Sequence, residues 1–143
     1  MKKYLFLFFV FFIFCKSNNY AQSTDNLVQE CEKYMQLPFI FDGQQYISPI
    51  NGEFPVQFSL TFYGGVTYRV SVAANNPTGE LIFTVFDKNR NILFSNKNYD
   101  YAPFWDFKIN NTIDCVIELH VNEVLTQSAT AVMRVGFKTD NSQ

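Results

Sequence analysis

The alternation that begins at Phe54 is the strongest constraint on how this chain can fold. Phe54, Val56, Phe58, Leu60 and Phe62 interleave with Gln57, Ser59, Thr61 and Tyr63. A period of two puts the apolar side chains on one face of a pleated strand and the polar ones on the other. Gly64-Gly65 follows, a dipeptide that tolerates the positive φ of a tight hairpin. Val66, Tyr68, Val70 and Val72 then alternate with Thr67, Arg69 and Ser71, which reads as the return strand.

The same signal recurs along the chain. Residues 81–86 are apolar on both faces, as in a strand covered on both sides. Residues 92–94, 104–109, 113–121 and 129–137 complete the set, and 44–50 forms a weaker first strand. Polar turn clusters at 75–79 and 87–91 separate them. Only residues 24–36 read as helix: Ser23, Thr24 or Asp25 can cap it, and Leu27, Val28, Cys31, Tyr34 and Met35 share one face. Pro38 stops it. The expectation is an all-β protein, a β-sandwich or jelly roll of about eight antiparallel strands with one short N-terminal helix.

The N-terminus carries a different message. After Met1-Lys2-Lys3, residues 4–14 hold no charge, and a polar run leads to Ala21. That is the layout of a secretory signal with a cut after Ala21. The apolar stretch is too short for a spanning helix, which needs roughly 20 residues, so no transmembrane helix is expected in the mature chain. Cys15 raises lipoprotein anchoring as an alternative, but Phe14 stands where that processing wants a small residue. The reading is one domain, residues 22–143, delivered to the periplasm or secreted.

Removal of residues 1–21 takes Lys2, Lys3 and Lys16 and no acid, moving the formal charge from −2 to −5. With no Lys/Arg cluster, nucleic acid is excluded as a partner. Cys31 and Cys115 remain, an even count that predicts one disulfide at an oxidising address. It would close a loop of 84 residues, worth about 4 kcal/mol in the chain-entropy model. Cys31 lies on the helix's apolar face and Cys115 in the apolar register of its strand, so the bond is expected to pin the helix onto the sandwich. The alternative is two buried free thiols.

No motif amounts to a catalytic or cofactor site, and no cofactor is expected. Asp87, Asn89 and Asn91 space their oxygens like the start of a calcium loop, making them weak metal candidates. Ile92 and Asn98 stand where that loop needs Gly and a bidentate Glu, and Lys88 and Arg90 oppose a cation. A solvated hairpin turn is the competing reading. Tyr99 and Tyr101, flanked by polar residues, are the candidates for stacking a ligand, while Trp105 falls with Phe107 and Ile109 on the core face. His120, the only histidine, sits with Glu118 and Asn122 on a polar face, with no spacing that suggests zinc or a triad. Asn110-Asn111-Thr112 matches a glycosylation sequon. No nucleophile elbow, phosphate-binding glycine loop or Cys-x-x-Cys is present.

Several of these segments form a family pattern: Phe58-Ser59-Leu60, the run Gly64-Gly65-Val66-Thr67-Tyr68-Arg69-Val70, the strand Leu81-Ile82-Phe83-Thr84-Val85-Phe86-Asp87, and Asn91-Ile92-Leu93-Phe94-Ser95. Over residues 58–96 the chain resembles the bacterial pre-peptidase C-terminal domain, a small secreted jelly roll. The motifs are structural and cover about a third of the mature chain. The resemblance implies the fold and an extracellular setting, and transfers no catalytic residue. Such domains ride behind secreted peptidases, whereas this chain carries no peptidase and adds a helix and a cysteine pair. It also resembles small exported proteins of Bacteroidetes-type bacteria, whose signals often end in Ala-Gln.

The reading is therefore an exported, non-enzymatic binding or accessory module of the cell envelope, with an envelope or extracellular protein or a glycan as partner. The alternatives are a carbohydrate-binding module, a small outer-membrane β-barrel, and a secreted hydrolase.

Overall fold

The computed structural model describes residues 19–51, 54–75, 79–121 and 129–139, with side chains from Thr24 onward. Most of the expected signal, with Cys15, lies outside the described residues. So do the middle of the 75–79 turn, Asn122 and the tail beyond Thr139.

A helix, α1 (Asn19–Glu32), precedes nine strands: β1 (Ile40–Phe41), β2 (Tyr46–Ile50), β3 (Val56–Phe62), β4 (Val66–Ala74), β5 (Leu81–Asp87), β6 (Ile92–Ser95), β7 (Phe104–Ile109), β8 (Ile113–Val121) and β9 (Ala129–Thr139). They form two antiparallel sheets. Sheet A runs β1-β9-β4-β7, with β2 also paired to β9, and sheet B runs β3-β8-β5-β6. The all-β expectation holds, and the eight expected strands are all present. Two separate sheets with free edges are not a closed cylinder, so the outer-membrane barrel is set aside.

Alternation builds the core. Phe83 and Val85 of β5, Ile117 and Leu119 of β8, Val70 and Val72 of β4 and Met133 and Val135 of β9 all turn inward and are buried. Each contributes about 1.5–3 kcal/mol by leaving water.

Gly64-Gly65 does not close a hairpin. β3 belongs to sheet B and β4 to sheet A, so this turn carries the chain across the core. Alternation and a glycine turn look the same whether the return strand joins its own sheet or the opposite one. Gly65 adopts φ +77°, and a Cβ on Gly64 would lie 2.8 Å from the Asn110 carbonyl oxygen. The Gly64 N–H donates to Thr112 Oγ1 at 3.1 Å and the Gly65 N–H to the Ile109 oxygen at 2.8 Å. The β3–β4 and β7–β8 crossings are thus packed against each other.

The helix starts earlier and ends earlier than residues 24–36, so the expected cut after Ala21 falls within its first turn. Leu27 and Cys31 pack on Ala73 and Val132, side chains that β4 and β9 turn away from the sandwich core. The helix therefore covers the outer face of sheet A. Residues 33–41 continue over that face, with Tyr34 stacked on Phe104 at 4.7 Å. Arg69 fastens them: it binds both Asp106 oxygens at 2.6 and 2.7 Å, donates to the Tyr34 carbonyl at 2.9 Å, and lies 4.0 Å from the Phe39 ring centre. Arg134 is buried beside the Phe41 ring and pairs with Glu32 at 3.0 Å.

This placement overturns the Cys31–Cys115 disulfide. Cys31 lies under the helix on the outer side of sheet A, and Cys115 lies in the core between the sheets. Both are free and buried. Each lies on an apolar face, as expected, but a sheet separates the two faces. Burial pushes the Cys31 thiol up to about 12 and the Cys115 thiol to about 11, from an ordinary 9.0. Both should react with a disulfide reagent at least ~100-fold more slowly in the native protein than in denaturant. The linkage has a definite sign. Above the ordinary value the unfolded chain loses these protons while the folded chain keeps them, so stability should fall as pH rises from 9.0 toward 11. Denaturant melts between about pH 8 and pH 10 check this, and Cys115→Ala should flatten the slope.

Candidate functional site

Sheets A and B leave a cleft open at the side where the edge strand β3 faces β2 and β9. Its volume is about 550 Å³, within the range of sites that hold small ligands or a partner's side chain. Val56, Phe58 and Leu60 of β3 point inward yet are only half-buried, and Leu60 lines the cleft.

The cleft is walled by aromatic rings. Phe62 stacks on Tyr68 at 4.5 Å, Tyr68 reaches toward Phe137 at 6.4 Å, and Tyr46 meets Phe58 edge-on at 5.3 Å. The Tyr68 hydroxyl accepts the Tyr63 N–H at 3.1 Å, which fixes the turn that presents Tyr63 at the mouth, 61% exposed. Asp42 is the one charged residue among the described residues that line the cleft. It is held by its N–H to the Val135 carbonyl at 3.0 Å, and its Oδ1 accepts the Gln44 N–H at 2.9 Å. Gln44 Oε1 in turn accepts the Tyr46 hydroxyl at 2.9 Å. Burial raises the Asp42 carboxyl above its usual range, opposed by the Gln44 bond and by Arg134. Burial and the Asp42 charge raise Tyr46. The result is a largely apolar slot lined by an acid and by the rings of Tyr46, Tyr63 and Tyr68.

The sequence candidates lie elsewhere. Tyr99 is on the opposite open side, 48% exposed, against Phe94 at 5.4 Å and Trp105 at 4.3 Å. Trp105 faces the core as expected, half-buried at its edge. Tyr101 is half-buried in the preceding turn, with its N–H bonded to the Asn96 oxygen at 3.0 Å. The aromatic partners of Tyr99 are thus Phe94 and Trp105.

Asp87, Asn89 and Asn91 form the hairpin turn between β5 and β6. Asp87 Oδ1 accepts the N–H groups of Asn89 and Asn91 at 2.8 and 2.9 Å, and Oδ2 accepts Asn91 Nδ2 at 2.8 Å. These bonds, the Asn91 side chain first, lower the Asp87 carboxyl and occupy its oxygens. The three residues form a turn locked by its own aspartate. Among the described residues no group of His, Cys, Asp and Glu is placed to hold a metal.

His120 is not on a fully solvated face. Its neighbour Glu118 is buried on the outer side of sheet B, bonded by Gln57 at 2.7 Å and Arg90 at 2.8 Å. Burial holds the His120 ring below its usual range, with Glu118 acting in the opposite sense.

The cleft residues Asp42, Gln44, Tyr46, Tyr63 and Tyr68 were not singled out from sequence. The alternation of β3 marked its inward residues, but not that they would face a gap.

No helix among the described residues is long and apolar enough to cross a membrane, an observation about helices alone. No protein-family model matches the chain, and no curated protein matches it. Among solved structures it is similar to PliG of Aeromonas hydrophila, a periplasmic lysozyme inhibitor of g-type lysozyme. The TM-score is 0.52 at 14% identity, over 66% of this chain and 85% of that one. At that identity the likeness is one of fold.

Proposed function

We propose that this chain is an exported, non-enzymatic binding protein that docks an extracellular protein against the open β2–β3 side of its sandwich. The secretory layout of residues 1–21 supports the address. The observation that carries the reading is the cleft, an aromatic slot that Asp42 also lines. Tyr63, which lines it, is 61% exposed, and large rings at low entropic cost are what protein interfaces use as anchors. The formal charge of −2, with an acid at the mouth, favours a basic partner surface.

The shared fold makes g-type lysozyme the first partner to try. The expected result is saturable binding by calorimetry, weakened at least ~10-fold by Tyr63→Ala and by Asp42→Asn. An absence of binding removes lysozyme as the partner, and binding untouched by both variants removes the cleft as the site.

A second reading has its own observation. Tyr99 is half-exposed with its ring braced by Phe94 and Trp105, the arrangement of a platform for a sugar ring. A thermal-shift series against polysaccharides tests it, and a saturable rise lost in Tyr99→Ala supports it.

A further inference from the structure

Strand β3 is a sheet edge without the protections that the other edges carry. Alternate residues of an edge strand turn their N–H and C=O groups away from the sheet, where they template another strand. Among the described residues β3 pairs only with β8, in unbroken register from Val56↔Leu119 to Phe62↔Ile113. Its sequence, Val-Gln-Phe-Ser-Leu-Thr-Phe, holds no charge, no proline and no glycine.

The other edges are each blunted. β1 is two residues long, and β2 contains Pro49. β6 is four residues long beside a register shift at Val85/Phe86. β7 carries Asp106 and Lys108. Natural sheets protect edges by shortness, proline, bulges and charge, and β3 uses none of these.

The geometry points to a second copy of this chain as the occupant, pairing β3 to β3 antiparallel about a two-fold axis at Ser59. The strand is self-complementary in that register. Ser59 meets Ser59, Gln57 meets Thr61, Phe58 meets Leu60, and Val56 meets Phe62. Polar side chains oppose polar ones on the outer face, and apolar ones oppose apolar ones on the inner face. The nearby acids do not oppose the pairing bare: Thr61 Oγ1 already donates to Asp114 at 2.7 Å and Gln57 to Glu118 at 2.7 Å. The two sheets B become one continuous sheet, and a two-fold closes the contact so that it does not propagate.

The test is sedimentation velocity on protein purified from cells expressing the full chain, from about 1 to 200 µM, because a contact of one strand pair is expected to be weak. Wild type should show a reversible monomer–dimer equilibrium. Ser59 points outward and is exposed, so Ser59→Lys and Ser59→Asp should leave the thermal melt in place. Each should weaken the dimer at least ~10-fold by placing like charges at the axis, and mixing the two variants should restore pairing. A wild type monomeric throughout overturns the proposal and leaves the edge to a strand of another protein. Open-ended oligomers, a Ser59→Lys dimer as tight as wild type, or mixing without rescue overturn it as well. The second copy and a partner at the cleft would compete for the same side, which β3 residues 59–62 line, so sedimentation of the chain alone reads the dimer without reference to lysozyme.

Discussion

Asn96→Ala should lower the unfolding free energy by about 3 kcal/mol or more, an unusually large loss for a small polar side chain. Asn96 opens the one-turn 3₁₀ helix Asn96–Asn98 and is completely buried. Its Oδ1 accepts the Phe83 N–H at 2.9 Å, and its Nδ2 donates to the Leu81 carbonyl at 3.0 Å and the Ala102 carbonyl at 3.2 Å. Alanine would leave those three backbone groups without this partner, each a desolvation penalty of about 1–3 kcal/mol. Its own carbonyl accepts the N–H groups of Tyr99 and Tyr101, so the segment that holds Tyr99 against Trp105 is folded around this residue. Urea melts give the stability. Asn96→Asp separates the roles: it keeps the shape and the acceptor but sets a buried carboxyl oxygen against the Leu81 and Ala102 carbonyl oxygens, and should cost at least as much as alanine.

Phe83→Ala should cost about 3–5 kcal/mol, the range for deleting a buried ring and leaving a cavity. Phe83 has no solvent exposure, points from the centre of β5 into the inter-sheet core, and lies 5.3 Å from Phe94. The Phe94 ring in turn contacts Trp105 and Phe107 of sheet A at 4.9 and 5.1 Å. Truncation therefore removes the support of the ring that bridges the two sheets. Because the Phe83 N–H is the group Asn96 holds, the two substitutions should not add, and the double variant should lose less than their sum. Additivity within a few tenths of a kcal/mol would mean that the two sites act independently.

The strands were legible because a period of two is a local property that survives without knowledge of the partner. β1 was not, since two residues cannot display a period. Sheet membership was not legible either, as Gly64-Gly65 illustrates: whether the chain turns back or crosses over is decided by what β4 meets, namely β7 and β9. The cysteines failed for a related reason. An apolar face says that a residue is covered, but not by which layer, and Cys31 and Cys115 are covered by different ones. Tyr99 could be picked out because loop polarity flags exposure. The cleft could not, since Asp42, Tyr68 and Phe137 meet only after β9 has paired with β1, β2 and β4.

That last strand has a consequence for the order in which the protein can assemble. β9 is the hydrogen-bonded neighbour of β1, β2 and β4, so most of sheet A has no scaffold until residues 129–139 are available. The strand-to-strand connections mostly pass from one sheet to the other, and few neighbours in sequence are neighbours in space. Such a chain pays its loop-closure entropy before most contacts form, which places folding toward the millisecond-to-second end of the range. A chain passed across a membrane N-terminus first would stay pliable throughout the passage. It would acquire its shape only on the far side, when its C-terminal strand arrives.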